Sequence, residues 1–328
     1  MIVEMNTGCG HSVVPVVPEM SRWNGMLNIH KPDSWTSHDV VQRVRSILGI
    51  QKVGHAGTLD PHATGVLPIL VGKGTRIAQH LIQWDKEYSA VLRLGQTTDT
   101  QDAWGTVVNE ASLEGLTDER VREALLNVQG VIRQVPPMYS AVKVGGQPLY
   151  KKARKGECVE RAPKTVTIQK IEILKSQIPV VSFKVSCSKG TYVRTLCADI
   201  GGALQVGGHL EWLQRIRVGP LHVEDAISLK SLEKVSTCVD LGKAYWNLDQ
   251  ALSHFPTVEV QGDDARKVLH GNAIPWSRVS GEDSLEPNGK LTGGPVRVKD
   301  QGGRLLALGM GPVTISGGRH LKIETVLL

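Results

Sequence analysis

Apolar and polar positions recur along this chain with two periods, and the changes of period mark its elements. From His38 to Leu48, Val40, Val41, Val44, Ile47 and Leu48 fall on one helical face. Thr36 or Ser37 can cap that helix and Gly49 stop it. Thr117 caps a second helix from about Asp118 to Val128, with Val121, Ala124, Leu125 and Val128 inward and Gly130 as its stop. Thr191 can cap a third, running through about Leu204. Tyr88–Leu94 alternates with the period of a strand, and further strands are expected near 164–174 and 180–187. Helices and strands mix without a strict βα repeat, and no dinucleotide-binding or phosphate-loop glycine pattern occurs. The chain therefore reads as α+β, not as a doubly wound nucleotide-binding fold.

The texture changes near Phe255. Ser277–Gly294 is rich in Ser, Gly, Asp and Pro and reads as a long loop. Val296–Lys299 and Leu305–Leu308 read as short strands around the turn residues Asp300–Gly303, and Leu321–Leu328 as a last strand. The length, 328 residues, suits two domains, expected at 23–250 and 255–328. Residues 1–22 precede any recognisable element and are expected to form a disordered leader; Met20 offers an alternative start just before the first motif. The run Val13–Pro18 is short, broken by prolines and preceded by no Lys or Arg, so it makes a poor signal peptide. No stretch reaches the length of a membrane span, and no internal repeat is visible.

Composition adds bounds. Apolar residues make up 41%, adequate for a packed core, and the net charge is 38 − 32 = +6. This modest excess fits an acidic partner such as RNA. Cysteines stand at 9, 158, 187, 197 and 238, an odd count without C-x-x-C spacing. A disulfide framework or structural zinc site is not expected, and reduced thiols in a cytosol are the simplest reading. The positive charge clusters: Lys143, Lys151, Lys152, Arg154, Lys155, Arg161 and Lys164 face only Glu157 and Glu160. Such a run is commonly a solvated face, but this one is set among Tyr139, Tyr150 and glycines at 145, 146 and 156. Phosphate contacts through it would make binding salt-dependent.

One carboxylate stands out. In GHAGTLDPHATGVLP, from Gly54 to Pro68, Asp60 lies between glycines 57 and 65 and directly before Pro61. Glycine permits close backbone approach to a ligand, and proline presses the residue before it toward an extended conformation. Taken alone, Asp-Pro opens a turn. His55, Asp60 and His62 are residue types that zinc accepts, but their spacing matches no helical ligand motif and Pro61 interrupts it.

Gly57, Leu59, Asp60, Pro61, Ala63, Gly65 and Leu67 spell G-x-L-D-P-x-A-x-G-x-L, which resembles the catalytic loop of the TruB family of pseudouridine synthases. Other segments match in the same order: Gly25–Pro32 with Thr36 and Ser37, Tyr88–Asp102, Pro137–Lys143, Leu149-Tyr150 with Ala153-Arg154, Cys187–Thr195, and His209–Val218. The resemblance is of the bacterial type and runs from about Asn24 to Leu229. Two positions depart from it. Ser34 stands where glycine is usual, and Arg76 stands where lysine is common, keeping the charge but offering a planar fork.

The resemblance implies a mixed, mostly antiparallel sheet flanked by helices, with the active cleft across it. The tail resembles a small, β-rich, PUA-like RNA-binding domain. The implied reaction converts uridine to pseudouridine in the T-loop of tRNA, at position 55. The N1–C1′ bond breaks, the base turns, and C5 is joined in its place, with no redox cofactor, ATP or metal. Asp60 would attack C1′ as a nucleophile or remove a C2′ proton as a base, and its anionic form is favoured by a cation beside it. Arg194, in the first turn of the third expected helix, is implied as that cation. Tyr88 is implied as catalytic, holding the flipped base or helping to move the C5 proton. Tyr192 and Leu213 would line the base pocket, and His55 would contact RNA where the base has left. Arg76, Lys143, Lys151, Lys152, Arg154 and Lys155 would bind RNA, those from 143 onward within an insertion, about 136–164, that grips the T-arm. The implied partner is tRNA, with no membrane and no obligatory protein, for a monomer in the cytoplasm.

Two other functions remain open on residues alone. An RNA-binding module or RNA chaperone would use Asp60 only structurally. A metal-dependent hydrolase would use His55, Asp60 and His62 and lose activity with chelator. A guide-RNA-dependent relative is disfavoured because the chain lacks a long basic extension.

Overall fold

The computed structural model describes residues 23–281 and 293–328; the expected leader and the middle of the Ser277–Gly294 loop lie outside the described residues. Two of the three helical expectations hold at their starts. Helix α1 (Ser37–Leu48) opens on a reciprocal cap: the Thr36 hydroxyl accepts from the Asp39 N–H, and the Asp39 carboxylate accepts from the Thr36 N–H. Gly49 ends it at φ 63°, a left-handed conformation that glycine adopts without strain. A short turn α2 (Ala78–Leu81) precedes α3 (Asp118–Asn127), which is capped by Thr117 as expected. Val128 closes α3, and Gly130 begins a strand instead of stopping the helix. Helix α4 (Leu149–Ala153) lies in the basic segment, and α5 (Val193–Ala203) follows. The N-cap of α5 is Tyr192 and not Thr191, whose hydroxyl donates instead to the Ser188 carbonyl. Helices α6 (Leu229–Leu232), α7 (Leu248–Ala251) and α8 (Gly262–Leu269) complete the set.

The main sheet has ten strands: β1 (Gly25–Lys31), β2 (Val53–His55), β3 (Thr64–Val71), β4 (Lys86–Leu94), β7 (Gly130–Gln134), β10 (Lys164–Gln177), β11 (Val180–Cys187), β12 (Gly208–Val218), β13 (Leu221–His222) and β14 (Tyr245–Asn247), while two hairpins, β5 (Gln96–Thr98) with β6 (Val107–Glu110) and β8 (Lys143–Val144) with β9 (Gln147–Pro148), stand apart from it. Its order is β14-β1-β3-β12-β4-β11-β10-β7, with β2 on β3 and β13 on β12, and only the β3–β12 pairing is parallel. Successive side chains of a strand point to opposite faces, and here both faces are buried. Leu27, Ile29, Leu67, Ile69, Ala90 and Leu92 join the inner faces of α1, α3 and α5 in one core. Met26, Val66, Leu70 and Val218 join Leu81, Leu248 and Leu252 in a second core on the other face.

A five-stranded second sheet follows, ordered β15-β17-β18-β19-β16, from β15 (Thr257–Glu259), β16 (Ile274–Pro275), β17 (Gly294–Lys299), β18 (Leu305–Ile315) and β19 (Gly318–Val326). Its last two strands are a long hairpin, where the sequence predicts separate short strands at 305–308 and 321–328. Leu308 and Leu327 enter the second core of the main sheet. Asp249 accepts from both Arg297 (2.8 Å) and Lys299 (2.7 Å), fastening α7 to β17. Among the described residues no helix is long and apolar enough to cross a membrane.

Candidate active site

Asp60 lies in the loop between β2 and β3. These strands pair in register from Val53↔Val71 to His55↔Ile69, so the eight residues between them must turn back over the sheet. Three buried polar side chains fix the path. The Ser37 hydroxyl, at the first residue of α1, bonds both the Leu59 N–H (2.9 Å) and the Leu59 carbonyl (3.1 Å). The Lys31 ammonium, at the end of β1, donates to the carbonyls of Pro61 (2.6 Å), Pro32 (2.9 Å) and Trp35. Arg215 on β12 donates to the carbonyls of Val66 (2.8 Å), Gly57 (3.1 Å) and Thr58 (3.3 Å). The loop needs its glycines: Gly65 has φ 98°, and a Cβ there would meet the Arg215 carbonyl oxygen at 2.2 Å.

The Asp60 side chain remains 42% exposed, whereas its partner Arg194, on the first turn of α5, is only 4% exposed. The contact is a two-pronged fork: Arg194 Nε donates to Oδ2 at 2.8 Å and Nη2 to Oδ1 at 3.1 Å. The remaining guanidinium donors reach the Thr100 carbonyl (3.0 Å) and the Tyr139 carbonyl (2.8 Å), and Asp102 lies 3.8 Å away. One arginine thus joins the aspartate loop, the β5–β6 approach and the start of the basic segment.

Beside this pair is a cleft of about 220 Å³, walled by Tyr88, Tyr192, Leu213, Arg215 and the loop residues Gly57–Leu59. Pockets for drug-sized ligands run to roughly 300–1,000 Å³, so this smaller cleft suits one nucleobase better than a dinucleotide. Asp60 is the one carboxylate lining it among the described residues. Tyr88 of β4 sits opposite Val185 on one side and Arg215 on the other, and burial pushes its phenol up to about 12 while Arg215 opposes the shift. The phenol is therefore protonated throughout the neutral range and faces the cleft as a ring and an O–H donor. Burial also raises the Tyr192 phenol, and both backbone polar groups of Tyr192 are held by the buried Gln134 amide.

The structure therefore brings together Asp60, Tyr88, Tyr192, Arg194 and Leu213. His55 lies outside the cleft lining. It is half-buried with an unbonded Nδ1, and burial lowers its pKa, so it is neutral at neutral pH. Arg76 is exposed, with one Nη1 hydrogen bond (2.7 Å) to the Val326 carbonyl of the second sheet. Lys143, Lys151, Arg154 and Lys155 are exposed and Lys152 half-exposed, around the β8–β9 hairpin and α4, and Arg154 lies 5.6 Å from the Tyr150 ring centre. That segment is anchored beside the cleft, since the Tyr150 N–H donates to the carbonyl of cleft residue Ser140 (3.1 Å). The metal set His55, Asp60 and His62 is not assembled, and no group of three His, Cys, Asp or Glu able to hold a metal occurs among the described residues. Ser34, in place of the usual glycine, takes φ 64°, so the turn is kept with a serine in it. Residues whose roles the sequence did not expose are Lys31, Ser37 and Arg215; the alternation of β12, which puts Arg215 two positions beyond Leu213 on the same face, is the signal that finds the last of them.

The architecture recurs in solved structures. The chain superposes on a chain of an H/ACA RNP bound to a substrate RNA containing 2′-deoxyuridine, with a TM-score of 0.70 and 26% identity over 94% of this chain and 87% of that one. It matches a chain of a Cbf5–Nop10–Gar1 complex with a TM-score of 0.69 and 28% identity over 93% and 85%. Residues 45–193 match the TruB family pseudouridylate synthase N-terminal domain, and residues 194–253 match the tRNA pseudouridylate synthase B C-terminal domain. Proteins named tRNA pseudouridine synthase B from Clostridium kluyveri and Symbiobacterium thermophilum are 46% and 48% identical, over 76% and 77% of this chain and 85% and 84% of theirs. The chain belongs to the TruB family of pseudouridylate synthases. The boundary between the two matched domains falls between Val193 and Arg194, so one contributes Asp60 and the other its arginine partner.

Proposed function

We propose that this protein converts uridine to pseudouridine in the T-loop of tRNA, at position 55. The observation that carries the reading is the Asp60–Arg194 fork lining a base-sized cleft walled by Tyr88, Tyr192 and Leu213. A uridine flipped out of its stack enters the cleft and lies against the Tyr88 ring, paying for lost stacking with aromatic contact. Asp60 acts at the ribose, on C1′ or on the C2′ proton; the N1–C1′ bond breaks, the uracil turns, and C5 bonds to C1′. The C5 proton leaves and N1 gains one, so the step is balanced without an external oxidant or reductant. Arg194 holds both carboxylate oxygens in a fixed plane, which is preorganisation of the reacting group.

His55 contacts RNA beside the cleft where the base has left the stack. Lys143, Lys151, Lys152, Arg154 and Lys155 take the phosphates of the T-arm, and Arg76 adds a contact near the second sheet. That sheet, residues 255–328, serves as a PUA-like RNA-binding domain behind the catalytic domain of 23–250. The protein works as a cytoplasmic monomer without a protein partner or guide RNA.

The test uses tRNA transcript tritiated at uridine C5, with no metal or cofactor added. The intact protein releases tritium, while Asp60→Asn loses release by about 10²–10⁴-fold or more and still binds tRNA. Binding without release by the intact protein overturns the enzyme reading in favour of a binding module, and equal release by both proteins shows that Asp60 is not the reacting group.

A further inference from the structure

Asp60, Arg194 and Leu213 line a second, smaller hollow as well as the base cleft, and Pro61, Asp102 and Leu210 help to close it. At its rim the rings of His62 and Trp104 lie parallel, with centroids 4.0 Å apart and 4° between their planes. Trp104 is nevertheless 49% exposed. The backbone that carries the ring is firmly held. The Trp104 N–H donates to Asp102 Oδ1 (3.2 Å), the Thr100 hydroxyl donates to the same oxygen (2.6 Å), and Asp99 Oδ1 accepts from the Thr106 N–H (2.8 Å). At Gly105 a Cβ would meet the Thr100 hydroxyl at 2.2 Å, so the turn that carries the tryptophan is closed tightly. His62 is fastened from the other side, with Nδ1 3.2 Å from Asp33 Oδ1. A large flat ring, half open to solvent and lining the same hollow as Asp60, contributes little to the core and is oriented for a flat partner.

We propose that the His62–Trp104 stack is a platform for an unpaired nucleobase of the substrate RNA, the one next to the uridine that enters the cleft. This rests on the function proposed above. The hollow and the cleft share Asp60, so a nucleotide over the hollow is the chain neighbour of a nucleotide in the cleft. Unstacked loop bases are the features of RNA most readily held by aromatic faces. The competing role is a brace: His62 belongs to the catalytic loop, and stacking on Trp104 would then serve only to steady Asp60. The two differ in what they change, since a platform acts on RNA binding and a brace acts on turnover.

The experiment uses T-arm stem-loops tritiated at the target uridine, intact or abasic at the nucleotide on its 5′ or 3′ side, with the wild-type protein, Trp104→Ala and Trp104→Phe. Stacking on one base gives an expected rise in KM and Kd for Trp104→Ala of roughly 5- to 150-fold, with kcat changed far less, and Trp104→Phe recovers much of the loss. One of the two abasic RNAs weakens binding to the wild type by a similar factor and costs Trp104→Ala nothing further. Unchanged KM and Kd, a fall confined to kcat, or equal abasic penalties for both proteins overturns the platform. If the wild type releases no tritium from any RNA the proposed function fails, while the Kd comparison across the same RNAs still decides the platform.

Discussion

Two arginines show how differently one side chain can be used in one site. Arg194 faces a carboxylate and Arg215, 1% exposed, faces three main-chain carbonyls, two in the loop and one on β3. A buried cation without a carboxylate partner is costly unless hydrogen bonds replace its hydration, and the three carbonyls supply that replacement while fixing the backbone on both sides of Asp60. Lysine cannot reproduce either arrangement, because an ammonium is a point charge without the planar fork. Arg194→Lys is therefore expected to lower kcat for tritium release by about 10²-fold or more, the scale of removing one preorganised donor, with tRNA Kd nearly unchanged; an equal loss in Kd would show that Arg194 serves binding. Arg215→Met leaves these carbonyls unpaired, at about 1–3 kcal/mol for each one that water does not reach, so both the unfolding midpoint in urea and kcat should fall. Asp60 was legible because its neighbours form a dense local motif. Arg215 was not, because nothing local separates a buried arginine from a surface one; only the strand alternation and the loop it meets across the sheet do so.

At the scale of elements, the Asp60 loop is clamped from α1, β1 and β12, and one of those clamps titrates. Lys31 is fully buried, and burial lowers its pKa from 10.5 to about 8. As pH rises through about 8 the ammonium becomes an amine with two N–H groups, too few for the Pro32, Trp35 and Pro61 carbonyls together. Turnover should fall on the alkaline side of about 8. Stability should not follow it down: between about 8 and 10.5 the unfolded chain binds more protons at this lysine than the folded one, so this group's contribution to stability rises with pH. Rate profiles and urea melts between pH 6 and 9.5 check both signs. Lys86, which unlike Lys31 lines the cleft and is also lowered to about 8 by burial, is the alternative source, so Lys86→Gln should keep the alkaline limb if Lys31 causes it. The amphipathic helices were readable because one face is wet, and Thr36 was one of the two residues offered as the α1 cap, while the answering Asp39 carboxylate came only with the structure. Strand β3 was not, because VLPILV is buried on both faces and carries no period. The cap of α5 was misassigned because the Thr191 hydroxyl is consumed by Ser188, a contact set by the turn's geometry and not by residue type.

Across the whole molecule, charge is divided between holding the two sheets together and leaving one surface free. Arg297 and Lys299 are spent on Asp249, both 17% exposed or less. Asp249→Ala should lower unfolding free energy by about 1–2 kcal/mol, between the values for exposed and buried pairs, and should loosen β17 from α7 without touching the cleft. The segment from Lys143 to Lys155 behaves otherwise. Its five cations have no carboxylate within ion-pair distance among the described residues, although its start is tied to Arg194 through the Tyr139 carbonyl. Cations left unpaired beside the cleft are available to phosphate. If they contact the T-arm, log Kd should depend linearly on log salt, and each phosphate contact removed should reduce that slope by about 0.7–0.9. Lys151→Ala and Lys155→Ala should each weaken binding at low salt, flatten the slope by about that amount, and leave kcat at saturating RNA nearly intact, since neither side chain reaches the cleft. A variant that weakens binding with the slope unchanged would place that lysine away from the phosphates, and a variant that lowers kcat would mean that the segment's conformation, and not its charge, is what the Arg194–Tyr139 contact transmits to Asp60.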